Sequence, residues 1–242
     1  RHELFLFAAS FFLLGALDEM AVDIAYLWLR LTGRARTPRI AEATFIGQPL
    51  RGRCAVFIPA WQESAVIAAT IAHARCAWPQ ADLRIYVGCY PNDDATCAAA
   101  REGAAGDPRV KIVRHENMGP TCKADCLNRL YRALCEDEAG EGVRARMIVL
   151  HDAEDMVDPA ALTLLDAAIG KTDFVQLPVM ALPAPGSPWV SGHYTDEFAE
   201  SHGKAMVVRS ALGQGIPGAG VGCAVVREAL ERLDARRDYA GP

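Results

Sequence analysis

Short apolar runs alternate with longer, Ala-rich segments from Arg53 onward, and this alternation predicts strands separated by helices. The predicted strands are Cys54–Ile58, Leu83–Val87, Val110–Val113, Met147–Leu150 and Phe174–Leu177. The predicted helices are Glu63–Ala74, Asp94–Ala104, Cys122–Glu138 and Pro159–Ile169. Because such apolar strands are usually covered on both sides, the pattern indicates an α/β fold with a mainly parallel sheet and helices on both faces.

The N-terminal segment has a different pattern, because Leu4–Leu17 carries no charge and no polar stripe. A helix of this length reaches about 21 Å, less than the roughly 30 Å of hydrocarbon in a bilayer. A buried core helix, a signal-peptide core and the end of a membrane span are therefore the alternatives. No small-residue cleavage site follows the run, and a group of arginines lies downstream of it. We predict a membrane or interfacial segment over 1–31, a linker over 32–52, and a cytoplasmic domain over 53–242.

Composition narrows the class of protein. Apolar residues make up 51% of the 242 residues, which suits a packed domain and not a disordered chain. The net charge of −5 argues against a nucleic-acid partner, because such a protein needs a basic surface to displace counterions. None of the 8 cysteines belongs to a C-x-x-C pair, so a zinc ribbon is disfavoured and reduced cysteines are expected.

In a parallel sheet, ligands bind beyond the carboxyl ends of the strands, so the residues after each predicted strand are candidates for chemistry. Pro59–Glu63 follows the first strand and contains no glycine. A dinucleotide-binding enzyme would place a G-x-G-x-x-G loop there, which argues strongly against a nicotinamide oxidoreductase. Glu63 also has a simpler interpretation, as a carboxylate in the first turn of a helix.

The turns after the second and third predicted strands carry polar groups, and each group has two interpretations. Asn92, Asp93 and Asp94 would either cap a helix or contact a base or ribose. Lys123 lies early in a helix after a Gly-Pro loop, where its ammonium and the backbone amides could hold a diphosphate. A lysine near a helix N-terminus is electrostatically unfavourable, which favours the functional interpretation.

The turn after the fourth predicted strand gives the strongest indication of a functional site. Asp152, Glu154 and Asp155 come directly after this apolar strand. If extended geometry continues, Asp152 and Glu154 point to the same side. Their oxygens suit Mg²⁺ or Mn²⁺ that keeps open positions for phosphate oxygens. Without a cation, such a cluster of carboxylates would repel itself. The turn therefore predicts a metal or substrate site.

In this order, the motifs resemble those of family-2 glycosyltransferases of the GT-A fold. P-A-W-Q-E, Y-P-N-D-D-A-T, K-A-D-C-L-N and D-A-E-D correspond to the usual P-x-x-N-E, D-D-x-S-x-D-x-T, G-K-x-x-A-L-N and D-x-D. The resemblance covers about Arg53 to Leu233, and Tyr194–Glu200 and Pro217–Gly222 fit an inner-membrane branch of the family. It implies transfer of a sugar from a nucleotide-diphosphate donor, expected to be UDP-linked, to a saccharide or lipid-linked acceptor at the bacterial inner membrane.

The resemblance also implies roles for individual residues. The metal and catalytic pair would be Asp152 and Glu154, with Mg²⁺ or Mn²⁺ as the cofactor. Cys89 and Tyr90 replace the first carboxylates of the usual D-D turn. The resemblance therefore leaves open which nucleotide base of the donor is recognised. The donor-binding residues would be Pro59, Ala60, Glu63, Tyr90, Asn92, Asp94, Lys123 and Asp152.

The acceptor side and the general base are less defined. The family's T/S-E-D base motif and its Q-x-x-R-W motif do not occur, so the base is expected beyond Pro242. An inactive membrane-tethered binding or export component with an export partner is one alternative. A sugar nucleotidyltransferase is another, although the Gly-rich loop that it would need is missing. The candidate acceptor-side residues are Trp189, Tyr194, Glu197, Glu200 and Gly220.

Overall fold

The structure, a computed structural model, describes residues 2–35, 41–183 and 186–235. The chain divides into a sheet unit, Ile40–Leu177 with Gly218–Pro242, and a helical unit, Arg1–Arg39 with Pro178–Pro217. Residues 178–217 lie within the domain predicted over 53–242 and group with the N-terminal helix in the structure. The predicted linker, 32–52, lies partly outside the described residues.

A mixed sheet forms the centre of the sheet unit. Its strands are β1 (Arg53–Pro59), β2 (Leu83–Cys89), β3 (Val110–Arg114), β4 (Ala145–Leu150), β5 (Phe174–Gln176) and β6 (Cys223–Val226). Their order is β3-β2-β1-β4-β6-β5, with β1 to β4 parallel and β6 antiparallel to both of its neighbours. The mainly parallel sheet and the five predicted strands are confirmed. We did not predict β6, because its short run follows a Gly-rich segment that we interpreted as a loop.

The predicted helices are present, with one correction. The α-helices are α1 (His2–Leu31), α2 (Ile67–Ala77), α3 (Asp94–Ala104), α4 (Lys123–Glu141), α5 (Ala161–Ala168), α6 (Pro188–Glu200), α7 (Met206–Ala211) and α8 (Arg227–Ala235). The interpretation of Glu63 as a first-turn helical residue is wrong, because α2 begins at Ile67. Gln62 has a φ of 58°, in the left-handed region, so the chain turns there before the helix begins.

Side chains that alternate along the strands build two apolar layers, one on each face of the sheet. In β1, Cys54, Val56 and Ile58 face the layer that contains α2, α3 and α5. Ala55 and Phe57 face the opposite layer, to which α4 and α8 contribute. This period of two is what a strand covered on both faces requires. The prediction of helices on both faces is therefore confirmed.

A glycine in β2 lets α4 approach the carboxyl edge of the sheet. A Cβ at Gly88 would lie 2.4 Å from Sγ of Cys126, so side chains of α4 would have to shift to admit a larger residue. Lys123 is the first residue of α4 and lies one helical turn before Cys126. The contact at Gly88 therefore holds the lysine near the strand ends.

The helical unit contains α1, α6 and α7. Leu29 of α1 packs with Val208 of α7, and Lys204 donates to the Asp23 carboxylate at 2.6 Å. These contacts involve the C-terminal part of α1, whereas the large apolar side chains of its first half are exposed. Among the described residues, α1 is the one helix whose length and apolar composition would allow it to cross a membrane.

Candidate active site

The turns after β1, β2 and β4 and the first turn of α4 enclose a cleft of about 250 Å³ at the carboxyl edge of the sheet. Parallel pairing of β1 with β4, Phe57 opposite Leu150, places the first turn beside the acidic turn. The predicted donor and metal residues that line the cleft are Pro59, Ala60, Glu63, Tyr90, Lys123, Asp152 and Glu154. The structure thus brings together residues that are far apart in the sequence.

The acidic turn is shaped by its own hydrogen bonds. The backbone N–H of Asp152 donates to Oδ2 of Asp155 at 2.8 Å, which folds the chain back after β4. His151 is buried, and its Nδ1 lies 3.6 Å from the same Asp155 carboxylate. Asp155 therefore supports the turn, while Asp152 and Glu154 face the cleft. Sequence reasoning noted Asp155 but gave it no separate role.

Glu63 adds a third carboxylate to the cleft. Its backbone N–H donates to Oγ1 of Thr96 at 3.0 Å, which fixes the turn after β1 against α3. Burial, followed by the charges of Glu154 and Asp152, raises the pKa of Glu63 above its ordinary value. A carboxylate whose pKa is raised by other carboxylates is one that a cation would stabilise.

The donor set suits a divalent cation that is only partly coordinated by protein. Carboxylate oxygens are hard ligands, and the side chains of Asp152 and Glu154 both line the open cleft. In the described segments, no group of three or more His, Cys, Asp or Glu residues forms a metal site complete in itself. Mg²⁺ and Mn²⁺ often take the remaining positions from water and substrate phosphates, so two carboxylates fit that mode of binding.

Lys123 supplies a positive charge beside the acidic turn in the cleft. Its Nζ donates to Oδ1 of Asp152 and, at 3.2 Å, to the backbone carbonyl of Gly220. Gly220 has a φ of 80°, and a Cβ there would lie 3.3 Å from the ammonium nitrogen. The residue that we predicted for the acceptor side therefore contacts the predicted donor-binding lysine directly.

Aromatic side chains form another wall. Tyr90 stacks on the ring of buried His115, with 5.0 Å between centroids, and meets Trp61 edge-on at 5.2 Å. Its hydroxyl lies 2.6 Å from Oγ1 of Thr121, and burial raises its pKa above the ordinary value. Trp61 and Thr121 were not assigned from the sequence, although Trp61 lies within the first motif. Nothing in the spacing of the motifs indicates that these side chains meet.

Two predicted donor residues lie outside the lining of the cleft. The Asn92 side-chain amide exchanges two hydrogen bonds with the backbone of Gly119, both of 2.8 Å, and so holds the loop before α4. The Asp94 side chain is 86% exposed and accepts a bond of 3.1 Å from Arg114. Their contact with a base or ribose stays a prediction.

The buried carboxylate of the turn after β2 is Asp93, which the sequence predicts as a candidate helix cap but not as a donor-binding residue. One oxygen accepts from the backbone N–H of Thr96 and caps α3, and the other accepts from the N–H of Gln62 at 2.6 Å. Burial opposes this charge, but the hydrogen bonds outweigh it and hold the pKa of Asp93 below its ordinary value. Asp93 thereby joins the first two turns of the cleft.

The other acceptor-side candidates belong to the helical unit. Trp189, Tyr194, Glu197 and Glu200 all lie on α6. Trp189 is 91% exposed, and Glu200 pairs with Lys204. Their assignment to an acceptor stays a prediction.

A family model described as "Glycosyltransferase like family 2" matches residues 52–241. The chain belongs to this family. Bacteriophage adsorption protein B of Escherichia coli strain K12 and bacteriophage N4 adsorption protein B of Escherichia coli O157:H7 are each 34% identical to it over 230 residues. The alignment covers 93% of this chain but 31% of each relative, so the chain spans about a third of their length.

A solved structure has the same fold as this family-2 chain. The mannosyltransferase PcManGT from Pyrobaculum calidifontis, in complex with GDP-Man and Mn²⁺, matches with a TM-score of 0.56 and 20% identity. The match covers 90% of this chain and 56% of the mannosyltransferase. The GT-A fold expected from the motifs is thereby confirmed.

Asp93→Asn should destabilise this family-2 domain by about 1–3 kcal/mol at pH 7, because the single amide oxygen cannot replace two carboxylate oxygens that each accept from a backbone N–H. A carboxylate with a lowered pKa stabilises the fold above its ordinary pKa and loses this effect as the pH falls through the lowered value. The difference from wild type should therefore shrink as the pH is lowered from 7 to below about 4. Chemical denaturation at several pH values measures it.

Asp94→Asn is the matched control, since it makes the same substitution at the adjacent residue, whose side chain is exposed. Its effect on the free energy of unfolding should stay within about 0.5 kcal/mol at each pH. Equal destabilisation by the two variants would show that Asp93 does not join the two turns as described.

Proposed function

We propose that this family-2 domain transfers a sugar from a nucleotide-diphosphate donor, UDP-linked, to a saccharide or lipid-linked acceptor, with the help of Mg²⁺ or Mn²⁺. The observation that carries the proposal is the convergence of Glu63, Lys123, Asp152 and Glu154 in one cleft. These residues come from three separate segments, and the cleft lies where α/β sheets bind their ligands. A cleft lined by carboxylates and one lysine suits a phosphorylated ligand that arrives with a cation.

The cation would be held by Asp152 and Glu154 and would neutralise the charge that develops on the leaving diphosphate. Lys123 contacts Asp152 and would therefore lie close enough to a cation-bound diphosphate to donate to a phosphate oxygen. Trp61 and Tyr90 line the cleft beside the first turn and offer apolar surface to the donor. Oriented charges of this kind lower the barrier without a covalent intermediate.

We propose inverting transfer by a single displacement. The acceptor oxygen forms a bond to the anomeric carbon while the bond from that carbon to the donor phosphate breaks. The acceptor proton passes to a general base, and the nucleoside diphosphate leaves. The T/S-E-D motif that would supply the base does not occur in this sequence.

We also propose that the sheet unit works on the cytoplasmic side of a bacterial inner membrane, with α1 in the bilayer. The large apolar side chains of Leu4–Leu17 are exposed, and such a surface is stable in contact with lipid. Arg34 lies over the ring of Trp28 near the C-terminal end of the helix. Aromatic and basic residues are typical of a membrane interface on the cytoplasmic side.

Asp152→Asn should abolish Mn²⁺-dependent UDP binding while leaving the free energy of unfolding unchanged or slightly higher, because the variant removes one charge from a repulsive cluster. Calorimetric titration with UDP, in Mn²⁺ and in a chelator, measures the first effect, and chemical denaturation measures the second. Asp82→Asn is the matched control, since the exposed Asp82 precedes β2 at the other edge of the sheet. If the wild type binds UDP as tightly in chelator as in Mn²⁺, the metal role proposed for Asp152 and Glu154 is contradicted.

Removal of residues 1–35 should release the protein from the membrane, because the exposed apolar part of α1 is lost. Fractionation of cells that express the two forms should find the whole chain in the inner-membrane pellet and the shortened chain in the supernatant. In spheroplasts, external protease should leave the sheet unit of the whole chain intact until the cells are lysed. Digestion before lysis would place the unit on the periplasmic side.

A further inference from the structure

The ammonium of Lys123 lies at the centre of a small network in the cleft. It donates to Oδ1 of Asp152 and to the carbonyl of Gly220, and so joins the acidic turn to the segment before β6. Among the residues that line the cleft, Lys123 is the only basic one, and Glu63, Asp152 and Glu154 are the acidic ones. The lysine therefore neutralises part of a charge cluster for which the proposed function requires a divalent cation.

The segment 218–222 is held on its other side by uncharged contacts. The Gln176 side chain accepts from the N–H of Ala219 at 2.9 Å and donates to the carbonyl of Val221 at 2.8 Å. The N–H of Gly222 donates to the carbonyl of Leu150 at 2.9 Å, directly beside the acidic turn. Lys123 adds a charged contact to this segment, at the carbonyl of Gly220.

Asp152 faces a conflict between its two partners. An ammonium bound to Oδ1 uses the same carboxylate that would bind a divalent cation, and the two positive charges would repel each other at such short range. The Lys123 and Asp152 side chains are 41% and 34% exposed, so solvent weakens the pair and a stronger cation can replace it.

We propose that Lys123 is a positioning residue whose ion pair with Asp152 is replaced when the divalent cation binds. In the metal-free protein, Lys123 neutralises Asp152 and fixes Gly220. When Asp152 and Glu154 take the cation, Lys123 leaves both partners, becomes available to the donor diphosphate and loosens segment 218–222. This inference rests on the proposed function and adds to it a coupling between cation binding, donor binding and the loop before β6.

Hydrogen–deuterium exchange of the peptide that contains residues 218–222 tests the coupling without an activity assay. In the wild type, Mn²⁺ alone should raise the exchange rate of this peptide severalfold. In Lys123→Met, exchange should already be raised without Mn²⁺, and Mn²⁺ should add no further increase. Lys123→Arg, which keeps the charge, should respond to Mn²⁺ as the wild type does.

Lys111→Met is the matched control, because Lys111 also pairs with an aspartate, Asp137, and is 46% exposed, but lies outside the cleft. Mn²⁺ binding measured by electron paramagnetic resonance should be tighter in Lys123→Met than in Lys111→Met. UDP binding in saturating Mn²⁺ should be roughly tenfold weaker in Lys123→Met, because a charge-assisted bond to phosphate is lost. If Lys123→Met does not fold, Lys123→Gln takes its place.

The outcomes separate the two proposals. Wild-type protein that binds Mn²⁺ with no change in the exchange of 218–222 would overturn the role of Lys123 and leave the proposed function standing. If neither the wild type nor Lys111→Met binds Mn²⁺, even with UDP present, both the metal role of Asp152 and Glu154 and the replacement of Lys123 by the cation are overturned.

Discussion

Repulsion among carboxylates at one edge of the sheet is the constraint on which the site depends. Glu63, Asp152 and Glu154 line one cleft, and the pKa of Glu63 is raised by burial and by the other two charges. Such an arrangement costs stability unless a positive charge is present, and functional sites often carry this kind of cost. Lys123 partly offsets it, and a cation with a diphosphate would complete the balance.

Strand pairing, close packing and one buried carboxylate hold the charges of the cleft together. Pairing of β1 with β4 sets two of the turns side by side, and Gly88 lets α4 lie close to the sheet. Asp93 then connects the turn after β1 to the start of α3 through two backbone N–H groups. The apolar layers on both faces of the sheet provide the rigidity that such positioning needs.

The sheet and most of the cleft could be predicted from the sequence, because buried parallel strands have continuous apolar runs and their carboxyl ends meet at one edge. The different roles of Asp93, which is buried and joins two turns, and Asp94, which is exposed, could not be predicted. Both residues are acidic and adjacent, and only the packing buries one of them. The contact of Gly220 with Lys123 was also hidden, because it joins residues 97 positions apart through a backbone carbonyl. Local patterns predict elements and turns but carry little information on such distant contacts.

The central claim is that Asp152 and Glu154 bind a divalent cation together with a nucleoside diphosphate. The most direct test is anomalous X-ray diffraction at the manganese edge, from crystals grown with Mn²⁺ and UDP. One strong peak is expected in the cleft, about 2 Å from oxygens of both carboxylates and of the diphosphate. A bound nucleotide without a manganese peak at these two residues would contradict it.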